Sequence, residues 1–187
     1  LGKLALARLK TAEAIRQFTR AIELDSREPL FRFYISEVLG FEKKNREADR
    51  QIREYLRLNP SDPDRVPMAK AALEVSAAFG NAEVGRIEAP AQPSSIRLHR
   101  VLNFLFAEVL VNGQGPYRFL VDTGATQTVL NERVAETLGL PKITTNVLFG
   151  LGGEGKLESA VYRAVTLKNG DVAVRNVPHG GHSKPVV

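Results

Sequence analysis

Phe119-Leu120-Val121-Asp122-Thr123-Gly124-Ala125 puts a carboxylate at the end of an apolar run, and the stretches on either side decide what kind of element carries it. Upstream, apolar residues recur with a period of two. Leu105, Ala107, Val109 and Val111 share one face, and Phe104, Phe106, Glu108 and Leu110 the other, which predicts a strand. Asn112-Gly113-Gln114-Gly115-Pro116 is a turn signal and Tyr117 to Val121 the return, so Phe104 to Val121 is expected to be a β-hairpin that delivers the chain into Asp122. Downstream, Ala125-Thr126-Gln127-Thr128-Val129-Leu130 reads as another strand. A short helix from Glu132 to Leu138 follows, stopped by Gly139 and Pro141. A carboxylate at the end of an apolar strand is costly unless it is hydrogen-bonded or kept protonated. Thr123 supplies a hydroxyl that can bridge backbone groups, and Gly124 lets the main chain turn tightly and aim an N–H at the acid.

Further along, Gly150-Leu151-Gly152-Gly153-Glu154-Gly155 is glycine-rich and flanked by strand-like segments. Gly150, Gly152 and Gly155 also fit G-x-G-x-x-G, with Asp171 about where a ribose-binding acid would stand. Leu157, Ser159, Val161, Arg163, Val165 and Leu167 then alternate against Glu158, Ala160, Tyr162, Ala164 and Thr166, which is strand rather than helix, and too little chain remains for a doubly wound fold. Asn169-Gly170-Asp171 is a further hairpin turn, returning through Val172, Val174 and Val177. His179-Gly180-Gly181-His182 holds two histidines without a third ligand at compatible spacing. They read as loop residues, no metal is expected, and His99 has no visible partner.

The first half has a different period. At an offset of about 34 residues, Leu1, Gly2, Ala5, Ala14, Phe18, Ala21 and Ser26 stand where Ile35, Ser36, Leu39, Ala48, Ile52, Tyr55 and Pro60 recur. Small residues at Ala14, Ala21 and Ala48 let antiparallel helices approach closely, while Phe18, Ile52 and Tyr55 fill the space between helix pairs. Leu4 to Leu24 then reads as the end of one helix and all of the next, and Phe31 to Leu58 as a second pair. Asn59-Pro60-Ser61-Asp62-Pro63 is a stop and restart, and Pro67 to Phe79 a capping helix that Gly80 ends. This spacing resembles the tetratricopeptide repeat. Arrays of that kind bind peptides or partner proteins on a concave face, yet fewer than ~3 repeats stand here. A packing or dimerisation role and a peptide-binding role both stay open. Lys43, Lys44, Arg46, Glu47, Asp49 and Arg50 read as a solvated face. From Gly80 to Ser95 the composition shifts to Gly, Ala, Pro and Ser, the mark of a linker.

Composition narrows the classes. With 43% hydrophobic and 25% charged residues the chain has the makings of a packed core. Absence of cysteine excludes disulfides, thiolate metal sites and cysteine nucleophiles. The net charge of +5 is spread thinly, without a basic stripe for nucleic acid. Val101 to Val111, the longest apolar stretch, is interrupted by Asn103 and Glu108 and is far short of the ~20 residues a bilayer span needs. Serine, histidine and acid do not form a motif for a hydrolytic triad. A soluble chain is expected, its compartment, cytoplasm or periplasm, is left open, and the start at Leu1 and stop at Val187 read as those of a fragment.

The string Phe119 to Thr126, with Thr128-Val129-Leu130 behind it, resembles the single-lobe, retropepsin-like aspartic proteases, over about Leu102 to Pro178. Bacterial relatives that join such a lobe to helical repeats look like this chain. The resemblance implies an α+β chain in two domains: a tetratricopeptide-like array over 1–79, a linker over 80–96, and an all-β acid-protease lobe over 97–187. By resemblance Asp122 is the catalytic aspartate, Thr123 the residue whose hydroxyl locks two active-site loops together, and Gly124 and Ala125 complete the loop. Gly150, Leu151, Gly152 and Gly153 would be a flap over the substrate. The hydrophobic-hydrophobic-glycine segment that ends the family pattern is not found, so the lobe reads as cut short. One Asp-Thr-Gly is present, whereas general acid–base hydrolysis needs two facing carboxylates. A homodimer with the site on its axis is therefore expected, acting on a protein or peptide without cofactor. The alternative is a non-catalytic interaction module.

Overall fold

The computed structural model describes residues 1–125, 128–149 and 156–182. They form two compact units, Leu1–Ser76 and Ala77–Val187, and the division falls in the last turn of a helix.

The first unit is helical. Helices α1 (Gly2–Ala7) and α2 (Thr11–Leu24) are followed by α3 (Pro29–Phe41), α4 (Asn45–Arg57) and α5 (Arg65–Phe79). Pro29 opens α3 at a position where a missing N–H does no harm, and the Glu28 carboxylate accepts from Leu30 N–H at 2.9 Å. Asp62 starts α5 two residues earlier than Pro67 suggests. Its Oδ1 accepts from the N–H groups of Asp64 and Arg65 at 3.0 and 2.9 Å, and these bonds, with the Arg65 guanidinium, hold its pKa below the usual carboxylate range. Ala5, Ala14, Phe18, Ile35, Val38, Leu39 and Ala48 bury together, and Phe33, Ile52, Tyr55 and Ala69 form a neighbouring cluster. Phe18 stacks on Tyr34 at 5.2 Å between ring centres, and Phe33 lies 5.3 Å from Tyr55. Four of the spaced pairs, Gly2 with Ser36, Ala5 with Leu39, Ala14 with Ala48 and Phe18 with Ile52, are buried in both members.

The second unit is built on an eight-stranded sheet among the described residues. Its strands are β1 (Arg86–Glu88), β2 (Leu98–Val101), β3 (Phe104–Val111), β4 (Gln114–Leu120), β5 (Val129–Asn131), β6 (Lys142–Phe149), β7 (Lys156–Asn169) and β8 (Val172–His182), with one short helix, α6 (Glu132–Thr137). The main path runs β1-β8-β7-β3-β2, while β4 pairs with β3, β6 with β7 and β5 with β8. Every pairing is antiparallel except β5 with β8. Val111, Leu130, Ala135, Leu140, Ala160, Tyr162 and Ala164 make its core, under α6.

Two readings are corrected. The stretch 80–96 is not wholly a linker: β1 lies inside it and pairs with β8, and Glu88 accepts from Arg175 Nε at 2.8 Å. Three residues are too few to show a period, and their partner lies 87 positions away. The hairpin turn is also tighter than the signal suggests. Asn112 and Gly113, with φ of +50° and +81°, make the two-residue turn alone, and β4 begins at Gln114. The additional residues before Tyr117 are absorbed as a bulge opposite Val109 and Val111.

Candidate active site

Asp122 follows β4 after a single residue, Val121. The β3–β4 ladder pairs Phe106 with Leu120, and Val121 N–H donates to Leu105 O at 2.8 Å, so the last residue before the acid is still held to the hairpin. The chain then turns sharply. Gly124 N–H donates to Asp122 Oδ1 at 2.8 Å and Ala125 N–H to Asp122 O at 3.2 Å. Val121, Asp122, Thr123, Gly124 and Ala125 are all exposed. The carboxylate thus escapes the desolvation cost that its apolar neighbours suggest, because the strand has ended and the loop carries it into solvent. One oxygen is held by a backbone amide on an otherwise exposed residue.

Behind the loop, β5 is held from one side by β8. Val129, Leu130 and Asn131 run parallel to Gly180, Gly181 and His182, and Gly180 N–H donates to Thr128 O at 3.1 Å. Asn131 ends the strand and starts α6, its Oδ1 accepting from Arg133 N–H at 3.0 Å. From β7, Tyr162 Oη donates to Glu132 at 3.1 Å and Ser159 Oγ donates to Gly181 O at 2.8 Å. Burial and Glu132 together push the Tyr162 phenol above its usual range.

His179 corrects the reading of His179 to His182 as a terminal loop. Both lie in β8, and His179 is 0% exposed, opposite Tyr162 in register. Neither ring nitrogen has a hydrogen-bond partner among the described residues, and burial lowers its pKa from the ordinary 6.5 to about 4. Glycines at Gly180 and Gly181 disguised a strand as a loop. His99, on β2, stands 3.7 Å from Glu108 Oε1 on β3, a cross-strand neighbour invisible before the register is known.

The flap assigned to Gly150, Leu151, Gly152 and Gly153 lies outside the described residues. Asp171 occupies the exposed β7–β8 turn of an antiparallel hairpin, not the βα unit that a dinucleotide site requires. Groups of three or more His, Asp or Glu suited to a metal ion are not found among the described residues. Nor, among them, does any helix have the length and apolar character to cross a membrane. In the first unit a groove of about 340 Å³ opens between α2, α3 and α4. Ile15, Ile22, Ile35 and Leu39 lie along it, with Glu23, Arg32, Glu47 and Arg50 at its sides.

Residues 107–180 match the family model described as aspartyl protease. The matched span runs from within β3 to within β8 and contains the Asp122 loop. No curated protein and no solved structure matches the chain.

Proposed function

We propose that the second unit is the lobe of an aspartic endopeptidase and that its active site is completed by a second copy of the chain. The observation that carries this is Asp122 itself: an exposed carboxylate at a loop tip, one oxygen pinned by Gly124 N–H, inside the span that matches the aspartyl protease model. With two such loops facing each other across a two-fold axis, one carboxylate takes a proton from water while the other, protonated, donates to the scissile carbonyl. The hydroxide equivalent adds to the carbonyl carbon; the carboxyl that took the water's proton then gives it to the departing amine as the C–N bond breaks, and the other carboxylate recovers its proton from the diol hydroxyl. Two carboxylates this close cannot both ionise freely, so they share one proton and titrate as a pair, as the paired acids of aspartic proteases do. Thr123 and Gly124 hold the loops, Ala125 completes each one, and Gly150 to Gly153 supply the flap that excludes water. No metal or cofactor enters this chemistry.

The helical unit, read as a tetratricopeptide-like array over 1–79, recruits a protein partner or substrate. The matched burial of its spaced residues and the groove between α2, α3 and α4 support that role. The domain reading keeps 97–187 as the protease lobe, with β1 added from the 80–96 stretch.

Cleavage of a mixed peptide library between pH ~3 and ~7 tests the proposal, comparing wild type with Asp122→Asn. A loss of about 10³-fold in the variant, with circular dichroism unchanged, is expected. Equal cleavage by both would sink it. A folded wild type that cleaves nothing would favour the interaction module instead, for which the groove in the first unit is the candidate surface.

A further inference from the structure

We infer that the β2–β3 hairpin is the surface on which the second copy packs, flanking the paired Asp122 loops; this rests on the dimeric reading above. The two ends of β3 are turned differently. At one end, Asn112 and Gly113 take left-handed conformations that suit them. At the other, between β2 and β3, Leu102 takes φ +52° although it is a leucine, and it is 83% exposed. A leucine in that conformation is strained by roughly 1 to 2 kcal/mol. A glycine or asparagine would turn the chain there with less strain and less exposed apolar surface. Arg100 Nε donates to Leu102 O at 3.1 Å and braces the tip, so the leucine is presented rather than loose.

Around that tip both faces of the hairpin carry exposed apolar side chains, although Arg100 and His99 of β2 add a polar residue to each. Leu98 and Leu105 lie on one and Val101 and Phe104 on the other, all exposed, and exposed Val121 is bonded to Leu105 through its N–H. A half-buried hairpin ordinarily shows alternation of apolar and polar faces. A blade with exposed apolar side chains on both sides is suited to burial from both sides, and this one is bonded at Leu105 to Val121, the residue before Asp122, beside a site that one copy leaves incomplete. The polar residues nearby point to a copy of the same chain as the occupant. Glu108 and Arg118, both exposed, face each other in register on the face that carries Val101 and Phe104. A surface holding both signs is complementary to itself under a two-fold rotation, whereas an anionic lipid surface would favour positive charge alone.

Sedimentation equilibrium on the full chain tests this, with circular dichroism to check folding. Wild type is expected to be a dimer. Leu102→Glu combined with Phe104→Glu should weaken the dimer at least ~100-fold, and Leu102→Gly, which suits the turn, about tenfold with undiminished thermal stability. Leu24→Glu, at an exposed apolar position of α2, should leave the dimer unchanged. A wild-type dimer that survives the hairpin variants would overturn the hairpin assignment while leaving the paired aspartates standing. Dissociation by Leu24→Glu to the same degree would overturn it too. A monomeric wild type that cleaves peptides through Asp122 would remove the dimeric reading and this inference with it. A monomer that binds phosphatidylserine vesicles through the hairpin would assign the blade to a membrane surface instead.

Discussion

Each unit presses a glycine against an aromatic ring, and the two contacts have different reach. In the helical unit a Cβ at Gly2 would stand 2.7 Å from the Phe18 ring, and the contact joins α1 to α2. In the strand unit a Cβ at Gly181 would stand 2.5 Å from Tyr162, and the contact joins β8 to β7. A misfit between α1 and α2 is absorbed between chain neighbours. A misfit on β8 spreads, because β8 is also the partner of β1 and of β5, and β5 is the strand behind the Asp122 loop. The helical unit is a set of contacts between chain neighbours, while in the strand unit β3, β7 and β8 each pair with three other strands.

The largest expected effect comes from the helical side. Tyr55, 0% exposed and packed on Phe33, should cost about 3 to 5 kcal/mol when changed to alanine. Amide exchange should then quicken in α3, α4 and α5 and not in β7 and β8; equal loss of protection in both units would break the comparison. Next is the acid response of the strand unit. His179 binds its proton near 6.5 when unfolded and only near 4 when folded, so its contribution is fully present above pH 6.5 and is lost as pH falls toward 4. The loss should be roughly 3 kcal/mol, read as a falling unfolding midpoint of the strand unit. The groups nearest in the pairing are Tyr162 and its partner Glu132, so His179→Leu, which removes the proton site and leaves those two, should flatten the curve between these values. A wild-type curve already flat there would exclude this role.

Gly2→Ala and Gly181→Ala sharpen the comparison directly. Each should cost about 1 to 3 kcal/mol through overpacking. Gly181→Ala alone should also slow peptide cleavage, and equal cleavage by the two variants would show that β8 does not govern the loop. The smallest effect is expected at Asn131, whose removal as the cap of α6 should cost about 1 kcal/mol by denaturant unfolding of Asn131→Ala.

Much of this was legible in residue order because the informative signals were local. The period of two in Phe104 to Val111, the Asn-Gly and Gly-Asp turns and the small residues of α2 and α4 each act within a few positions. Gly124 could be expected to meet Asp122 because only Thr123 separates them. What escaped depends on distant partners. Strand β1 exists through β8, His99 acquires Glu108 only through register, and His179 is buried because β7 lies beside it. Strand β2 was missed because Leu98-His99-Arg100-Val101 mixes charge with apolar residues on both faces.

The parallel pairing of β5 with β8 also sets an order in time. A ribosome releases the Asp122 loop and Val129 to Asn131 well before Gly180 to His182, and at ~5 to 20 residues per second the delay is on the order of 2 to 10 seconds. Through that interval the nascent loop has its hairpin, while β5 after it still lacks its partner β8. The acid is made early and supported late, so a growing chain carries its carboxylate without the scaffold that aims it.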